Sequence, residues 1–308
     1  MQPDDMTQIS FPAMPAAGPF CLNDETAYHR WREKKLSGYP QRASELRVTI
    51  ADPFQLSSTE QDALQRRIEK TNFVIYQLAN PGADDKGAVK ALGKQFGLRD
   101  TDSNLCADED SITSLKVIPG GRQQHYIPYS NLRLSWHTDG YYNALDRQIR
   151  AMVLHCVQDA AEGGENLLLD HEICYIHLRD TNPAYILALM QPDAMVIPPN
   201  VENGVEIRGA LSGPVFTVDP DTGSLHMRYT ARTRSIEWHA DPTTLAAKDC
   251  IQDFLGSDSP YIFHHRLAPG QGVLTNNVLH ARTAFENEEG GKQRLLYRAR
   301  YYNRIAHT

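Results

Sequence analysis

The feature that most constrains the fold is a series of short apolar segments separated by turns, beginning at about residue 110. Strands are expected at 151–154, 167–169, 214–218, 225–229, 272–279 and 294–302. An Asp-Pro-Asp-Thr-Gly turn between the third and fourth segments is typical of a hairpin. The chain lacks the strand–helix alternation and glycine fingerprint of a dinucleotide-binding fold. The pattern favours a mainly β protein, a sandwich or jelly roll with helical insertions and a helical flank.

Helices are expected before and between these strands. Ser57 and Glu60 form a capping-box pattern at the start of one helix. A second early helix is expected to stop at Gly97. Asn182-Pro183 and Asp241-Pro242 each place an N-cap residue before a proline at the first helical position. These pairs predict two helices inserted among the strands.

The first 45 residues differ in texture from the rest. Residues 1–45 contain five prolines among mixed polar residues, at positions 3, 12, 15, 19 and 40. We expect an extended arm that packs on the body or on a partner subunit. Although 308 residues correspond to about two domains of average size, the pattern favours one domain over 46–308. A homo-oligomer is expected.

Charge and cysteine usage exclude several classes of protein. Lys and Arg total 31 against 38 Asp and Glu, a net charge of −7, which argues against nucleic-acid and polybasic membrane partners. The five scattered cysteines have no CxxC spacing and indicate reduced thiols in a cytoplasmic protein. The acidic N-terminus resembles no signal peptide, and no apolar run reaches the roughly 20 residues of a membrane span. A small-molecule substrate is the expected partner.

The strongest local signal is Ser-Trp-His-Thr-Asp-Gly at 135–140. In a strand His137 and Asp139 point to the same face, so both can bind one metal ion. His280, at the end of a candidate strand, can supply the third ligand. Two histidines and one carboxylate form the facial triad of non-haem Fe(II) oxygenases, which leaves coordination positions open. By itself the pair is equally compatible with a surface histidine and a turn aspartate.

A second His-x-Asp, at His239 and Asp241, serves as an internal control. Asp241 is explained as a helix N-cap, so we interpret this pair as structural. The remaining histidines, including His155, His171, His177 and His226, lack a carboxylate two positions on. We interpret them as core or surface residues.

Two arginines follow His280 on one strand. Arg294 and Arg298 are four positions apart, so both can point into the interior, where a guanidinium is costly to bury without an anion. Its planar fork suits a carboxylate. The alternative is an ordinary salt-bridged strand, because Arg300 and Arg304 make this segment rich in arginine.

Together these residues resemble the taurine dioxygenase-like family of Fe(II)/2-oxoglutarate-dependent dioxygenases. The resemblance rests on His137-x-Asp139, on His280 followed by Ala-Arg-x-x-Phe285, on Arg294-x-Leu-x-Arg298, and on the Gly-Gly-Glu-Asn turn at 163–166. It extends from about residue 50 to the C-terminus. Gly140, the Leu run at 167–169 and Met-Arg-Tyr at 227–229 resemble the branch that contains glutarate hydroxylase and, more loosely, γ-butyrobetaine hydroxylase. The fold implied is a double-stranded β-helix (jelly roll) core flanked by helices.

The resemblance also implies roles for individual residues. His137, Asp139 and His280 hold Fe(II), and Arg294 binds the distal carboxylate of the cosubstrate 2-oxoglutarate. Arg298 supports Arg294 or reaches an acidic substrate. Asn166 stands where the family often has a threonine that contacts 2-oxoglutarate, and its amide can donate the same hydrogen bond. With O2, the reaction implied is hydroxylation or a related oxidation of an unactivated C–H, with release of succinate and CO2; the presence of Asp139 argues against halogenation.

The substrate is less determined by the sequence. Candidates for pocket residues are Tyr126, Tyr129, Asn131, Tyr141 and Tyr142, with core and rim packing as the alternative. Arg208, Arg228 and Arg232 are spare cations, and if one of them joins Arg298 the substrate is a small anion. Two other functions remain open: a zinc-dependent hydrolase on the same ligands, which needs a general base beside the metal, and a non-catalytic cupin-like binding protein.

Overall fold

The computed structural model describes residues 15–82, 85–102, 111–117, 127–202, 204–232 and 236–308. Tyr126 and Cys106 lie outside these ranges. The helices are α1 Glu25–Leu36, α2 Ser58–Thr71, α3 Asp85–Gln95, α4 His171–Thr181, α5 Pro183–Leu189 and α6 Pro242–Leu255. The early strands are β1 Arg47–Ile50, β2 Phe73–Leu78, β3 Ile112–Leu115, β4 Leu134–His137, β5 Ala151–Gln158, β6 Glu162–Gly163 and β7 Asn166–Leu169.

The later strands follow the first long helical insertion. They are β8 Met195–Ile197, β9 Asn200–Glu202, β10 Val205–Arg208, β11 Leu211–Gly213, β12 Phe216–Val218, β13 Leu225–Met227, β14 Glu237–Trp238, β15 Phe263–His265, β16 Gln271–Thr275, β17 Leu279–Arg282, β18 Phe285–Glu286 and β19 Leu295–Tyr301. The chain is therefore a mixture of sheets and helices, with the helices inserted as predicted.

Two sheets dominate the described structure. The larger has the order β1-β2-β16-β5-β19-β3, and the smaller has the order β15-β7-β17-β4. Only the β1–β2 pairing is parallel among those ladders. Apolar side chains from both sheets, such as Phe73 and Leu296 of the larger and Leu168 and Leu279 of the smaller, belong to one buried cluster. The main core therefore lies between the two sheets.

A second apolar cluster lies on the opposite face of the larger sheet. There Leu64 and Ile68 of α2 and Val89 and Leu92 of α3 pack with residues of β2, β5 and β19, among them Val74. The alternation of side chains along a strand gives each face its own partners. On β19, Leu296 faces the main core whereas Ala299 and Tyr301 face the helices.

The predicted helix starts are confirmed. Ser57 and Glu60 form a complete capping box at α2. Asn182 caps α5 and Asp241 caps α6, each with proline at the start of the helix. The predicted hairpin is also present as β12 paired with β13. In each case the signal is local, and the local hydrogen bond that it predicts is made.

The prediction of one strand over 272–279 is wrong in an informative way. The chain forms β16 in the larger sheet and β17 in the smaller sheet. Between them Asn277 adopts a left-handed conformation with φ of 55°, which an asparagine tolerates better than most residues. This break transfers the chain from one sheet to the other and brings His280 to the smaller one.

The expectation of an extended arm is wrong for residues 25–36, which form α1. Asp24 caps the helix by accepting a hydrogen bond from the backbone N–H of Ala27. The helix packs on the body, where Lys35 Nζ lies 2.7 Å from the buried Asp170 carboxylate. Phe20, just before the helix, makes edge contacts with Trp31 and Tyr175. Local helix propensity and this packing outweigh the nearby prolines.

No helix among the described residues is long and apolar enough to cross a membrane. Of the cysteines, Cys21, Cys156, Cys174 and Cys250 are free thiols. The first three are buried, and burial raises the pKa of Cys156 to about 12. The Cys156 thiol is therefore protonated and unreactive at neutral pH.

Candidate metal centre and cosubstrate cavity

The three predicted metal ligands lie together at one end of the smaller sheet. His280 on β17 is directly opposite His137 on β4 in the antiparallel register, and their ring centroids are 4.2 Å apart. Asp139 Oδ1 lies 3.6 Å from His137 Nε2 and 3.9 Å from His280 Nε2. All three ligand atoms lie within 4.8 Å of one another, the only such group of three found among the described residues. The two histidines, 143 positions apart in the sequence, are therefore brought together by strand pairing.

Backbone carbonyls orient both histidine rings for metal binding. His137 Nδ1 lies 2.9 Å from the carbonyl oxygen of Ser135, and His280 Nδ1 lies 2.9 Å from that of Val278. A carbonyl can only accept, so each Nδ1 carries the proton. The lone pair of each Nε2 then points to Asp139 and is free to bind a metal, as expected for histidine ligands with fixed tautomers.

The backbone around Asp139 is held by an asparagine that the sequence reasoning did not single out. The Asn277 side chain accepts from the Asp139 backbone N–H at 2.7 Å and donates to the Asp139 carbonyl at 2.9 Å. It also donates to the carbonyl of Ile149 at 2.7 Å. Gly140 follows with φ of +67°, and a Cβ there would lie 2.4 Å from Ile149. Both residues fix the direction in which Asp139 enters the site.

The electrostatics keep the ligands in their binding forms. Burial would raise the pKa of Asp139, but the positive charges of Arg298 and Arg300 hold it well below its usual range. Arg298 Nη1 lies 3.2 Å from Asp139 Oδ2. For His280, burial and the neighbouring His137 lower the pKa to about 4. At neutral pH the site therefore offers a carboxylate and a neutral imidazole.

A cavity with about 430 Å³ of empty space, partly open to solvent, adjoins the two histidines. Its walls come from both sheets. The lining residues are Leu115, Pro128, Leu134, His137, Met152, Leu154, Asn166, His280, Ala281, Arg282, Arg294 and Arg298. Three of them are arginines and none is a carboxylate. The cavity is thus cationic, and within the described lining it has no acid that could act as a general base.

Arg294 differs from the two other arginines of this cavity in the contacts of its guanidinium. It is only 5% exposed, and no described residue accepts a hydrogen bond from its guanidinium or forms an ion pair with it. The guanidinium lies 4.9 Å from the centre of the Phe285 ring, and burial lowers its pKa to about 10. It remains charged at neutral pH, so a ligand carboxylate would relieve the cost of burying it.

Arg282 shares the Phe285 ring but has a different function. Its guanidinium lies 4.7 Å from the ring centre and donates to the backbone carbonyls of Ser130 and Leu132. Arg282 therefore holds the segment that precedes β4 against the cavity. The geometry distinguishes it from Arg294 because its Nη2 already donates to two backbone carbonyls.

Two further cosubstrate candidates have mixed outcomes. Asn166 lines the cavity and is buried, and its side-chain amide donates to the carbonyl of His265 at 3.3 Å. Arg298 also lines the cavity, as predicted from the strand alternation. Its guanidinium is engaged by Asp139, so Arg298 is not a free cation for a substrate. It stabilises a metal ligand instead.

The predicted substrate residues fall into different environments. Tyr129 is buried and ends a short 3₁₀ segment beside the cavity, whereas Asn131 is exposed. Tyr141 is buried two residues after Asp139, and Tyr142 is exposed. None of these four side chains belongs to the cavity lining given above.

The expectation that Arg228 binds substrate is not supported by its contacts. Its guanidinium is buried and donates to the backbone carbonyls of Tyr141, Met195 and Leu211 at 2.9 to 3.1 Å. Burial lowers its pKa to about 10. With every guanidinium nitrogen already donating, Arg228 ties three chain segments together. The physical reason is that carbonyl oxygens can satisfy a buried guanidinium as an anion does.

A polar network near the metal ligands was also missed. Arg300 donates to Tyr142 Oη at 3.0 Å and pairs with the buried Asp102, which also accepts from the Tyr302 hydroxyl. Its place on β19, two residues after Arg298, gives the signal that could have identified it. Because Asp102 is far away in sequence, only the fold reveals the partner.

The comparisons with known proteins agree with this geometry. A family model described as taurine catabolism dioxygenase TauD, TfdA family, matches residues 33–300. A uridine-5'-phosphate dioxygenase from Amycolatopsis sp is 29% identical over 250 residues, covering 74% of this chain and 84% of that protein. Another from Streptomyces sp is 28% identical over 222 residues, covering 70% and 78%.

Solved structures show the same fold at low sequence identity. Asparagine oxygenase in complex with Fe(II), hydroxyasparagine and succinate has a TM-score of 0.57 at 16% identity, covering 80% of each chain. The non-haem iron oxygenase OrfP, in complex with Fe and alpha-ketoglutaric acid, has a TM-score of 0.57 at 15% identity, again covering 80% of each chain. A taurine dioxygenase from Burkholderia xenovorans has a TM-score of 0.53 at 14% identity, covering 82% and 84%.

Proposed function

Because the chain belongs to the taurine catabolism dioxygenase TauD/TfdA family, we propose that His137, Asp139 and His280 hold its Fe(II) and that Arg294 binds 2-oxoglutarate. The enzyme is an Fe(II)/2-oxoglutarate-dependent dioxygenase that acts on a small molecule. The donor set fits iron, since two imidazoles and one carboxylate on one side of an ion leave positions for a cosubstrate.

One observation supports the role of Arg294 most directly. It is a buried and charged guanidinium that has no acceptor among the described residues and lines the same cavity as the two histidines. The distal carboxylate of 2-oxoglutarate is the anion that such a site requires. Asn166 lines the cavity as a second polar contact, and its role as the replacement for a threonine remains part of the proposal.

When bound, iron and 2-oxoglutarate supply the oxidising chemistry, in which O2 is consumed, succinate and CO2 are released and a substrate C–H is oxidised. The residues of the chain prepare the site for it. The carbonyls of Ser135 and Val278 hold the two imidazole rings in one tautomer, and Asn277 holds the backbone of Asp139. Leu115, Met152 and Leu154 form an apolar wall of the cavity that limits water near the reaction.

The substrate we propose is a small anionic metabolite. The site around the metal is rich in arginine, and the two relatives named above are uridine-5'-phosphate dioxygenases. A nucleoside phosphate is therefore the first compound class to test. Membership of the glutarate hydroxylase and γ-butyrobetaine hydroxylase branch stays a prediction.

The proposal also covers the fold type, the domain division, the cellular location and the oligomeric state. The two facing sheets are consistent with a double-stranded β-helix (jelly roll), as in the family. A division into residues 1–45 and a single domain over 46–308 stays a prediction, and α1 of the first segment packs on the body.

A cytoplasmic location is supported by the free buried thiols among the described cysteines. A homo-oligomer stays a prediction.

The decisive experiment is anaerobic absorption spectroscopy with Fe(II) and 2-oxoglutarate. We expect a weak visible charge-transfer band that disappears in His137→Ala. Arg294→Ala is expected to raise the 2-oxoglutarate concentration needed for half of the signal by roughly a hundredfold, because a buried charge pair loses one partner. Arg42→Ala is the matched control, since Arg42 is exposed and pairs only with Glu45.

The same measurement, together with an assay for succinate, separates the alternatives. A zinc-dependent hydrolase would bind zinc at these ligands but would give no such band and would be indifferent to Arg294→Ala. A non-catalytic cupin-like protein would show the band but release no succinate with any substrate. A band that survives His137→Ala would contradict the ligand assignment.

A further inference from the structure

Phe285 ends the motif that begins at His280 and has no part in the metal and cosubstrate contacts proposed above. It is only 4% exposed, yet it belongs to neither of the two apolar clusters that form the core of the described structure. Buried phenylalanines ordinarily supply apolar area to such clusters. The neighbours of this ring are of another kind, and they indicate a different role.

Two guanidinium groups lie over the Phe285 ring. That of Arg282 is 4.7 Å and that of Arg294 is 4.9 Å from the ring centre. Both distances are within the roughly 6 Å at which the negative face of an aromatic ring attracts a cation. Burial, and then the charge of Arg294, lowers the pKa of Arg282 to about 9. The ring therefore attracts two cations that repel each other.

The two arginines differ in what else holds them. Arg282 Nη2 donates to two backbone carbonyls, whereas the Arg294 guanidinium makes no hydrogen bond or ion pair with a described residue. Among the described residues, the Phe285 ring is thus the contact that orients the Arg294 guanidinium. The N–H donors of a guanidinium lie in its plane, so a ring against its face leaves them free for a carboxylate.

The backbone fixes the ring relative to Arg294. Phe285 pairs with Gly163 across the short ladder of β18 and β6. Two residues after Phe285, the Asn287 side chain accepts a hydrogen bond of 2.9 Å from the Arg294 backbone N–H. Gly164 lies against the same pair of side chains, since a Cβ added there would be 3.4 Å from both Arg294 Nε and Phe285 Cβ. The ring and the guanidinium are therefore held together at both ends.

We propose that Phe285 is a positioning residue for the cosubstrate, which holds the Arg294 guanidinium toward the metal cavity before 2-oxoglutarate binds. This inference rests on the proposed function, because it requires that Arg294 receives the distal carboxylate. A guanidinium that is already in place loses little side-chain freedom when the ligand arrives, so binding costs less free energy. Phe285 does not line the cavity, and it acts on affinity through Arg294.

Anaerobic titration of the Fe(II)-loaded protein with 2-oxoglutarate, followed by the charge-transfer band, tests this role. Phe285→Leu keeps an apolar side chain but removes the aromatic face. We expect it to raise the 2-oxoglutarate concentration needed for half of the signal about tenfold. Phe285→Tyr keeps the face and should stay within about threefold of the wild type. Fe(II) affinity without 2-oxoglutarate should be unchanged in both variants.

The matched control is Phe254→Leu. It removes another buried phenylalanine ring, which belongs to α6 and stacks on His177, and no described guanidinium lies over it. The titration with 2-oxoglutarate should therefore be that of the wild type. Phe285→Met is a second variant at the site itself, because methionine fills irregular space. It should show the same loss as Phe285→Leu and replaces it if the leucine variant does not fold.

A double-mutant cycle separates positioning of Arg294 from a general loss of packing. In the Arg294→Ala background, Phe285→Leu should change the half-saturating 2-oxoglutarate concentration by less than about twofold. The ring then has no cosubstrate arginine to hold, so the two substitutions are coupled.

The outcomes distinguish this inference from the proposed function. A wild-type protein without the band, or Arg294→Ala with the wild-type dependence on 2-oxoglutarate, would overturn the proposed function. A normal band and weakened binding in Arg294→Ala, together with wild-type affinity in Phe285→Leu and Phe285→Met, would overturn the role of Phe285 alone. So would effects that multiply fully in the double variant, because the ring would then act independently of Arg294.

Discussion

The chain contains the short pattern His-x-Asp twice, and the two copies lie in different structural environments. His137 and Asp139 are 6% and 5% exposed and lie across from His280. In the second copy the His239 side chain is 47% exposed and pairs with Asp193. Asp241 accepts from the backbone N–H groups of Thr243 and Thr244 as the cap of α6. The control pair is therefore structural, as predicted.

The difference shows what turns a short motif into a site. The ligand types and their spacing are identical in the two copies, so neither can explain the outcome. What differs is a third ligand that a neighbouring strand supplies, together with burial and an asparagine that fixes the aspartate backbone. A carboxylate that caps a helix already uses its oxygen atoms to accept hydrogen bonds from local backbone N–H groups.

Removing the third ligand should cause the largest change in Fe(II) affinity and so make the first copy of the motif behave like the second. His280→Ala is expected to weaken Fe(II) binding more than a hundredfold, because the remaining pair resembles the second copy of the motif. His239→Ala should leave the affinity unchanged. Titration of the metal-free protein with Fe(II) under anaerobic conditions measures both. Equal loss in the two variants would mean that the site lies elsewhere.

Asn277→Gly should have the next largest effect. Glycine keeps the left-handed backbone conformation at this position but removes the side chain that holds Asp139. We expect iron affinity to fall by ten- to a hundredfold, as when other residues supporting metal ligands are lost. Turnover with saturating iron should recover in part, which distinguishes misplacement of Asp139 from its loss. An unchanged affinity would show that Gly140 alone positions the aspartate.

A third kind of histidine is buried and has no carboxylate two residues later in the sequence. Such a residue should make the free energy of unfolding depend on pH. Burial, followed by the charges of Arg150, His171, Arg304 and Arg228, holds the pKa of His226 well below its usual value. Below about pH 6.5 this histidine therefore binds a proton in the unfolded chain but not in the folded chain. The free energy of unfolding consequently falls as the pH falls.

The expected size is up to about 1.4 kcal/mol per pH unit for each such histidine. In His226→Gln the decline in the free energy of unfolding of the metal-free protein between pH 7 and pH 5 should be less steep. Urea denaturation at several pH values measures it. His239→Gln, at an exposed site, should retain the wild-type slope, and a wild-type slope in His226→Gln would contradict the assignment.

The smallest effect is expected at the second copy of the motif itself. Asp241→Ala removes the N-cap of α6 and should lower the melting temperature by about 2 °C. Iron binding and turnover should not change. Asp241→Asn should restore most of the loss, because asparagine caps helices nearly as well as aspartate. Thermal denaturation followed by circular dichroism tests both variants.

Local sequence signals predicted the local structure well. The capping box at Ser57, the N-caps at Asn182 and Asp241 and the hairpin of β12 and β13 are all present. Their hydrogen bonds join residues a few positions apart, so the required information lies within each segment. The helix at 25–36 was not predicted. The prolines on both sides suggested an extended segment, although the residues between them include many good helix formers.

The candidate site was predicted where residue chemistry is specific and missed where partners come from afar. The three proposed ligands, which the structure brings together, could be singled out because few functions require that combination of residues. The role of Arg228 was misjudged because its acceptors are backbone carbonyls, which every residue carries and no motif marks. Arg298 was assigned to the interior correctly, but its pairing with Asp139 needed the geometry.

The sequence by itself determined which side chains can bind a metal, where several helices begin, and that the chain combines short strands with inserted helices. Only the tertiary structure decided which residues meet. The break at Asn277 moves the chain from β16 to β17 and aligns His280 with His137. Such pairings depend on the free energy of whole sheets packing together, which no short segment contains.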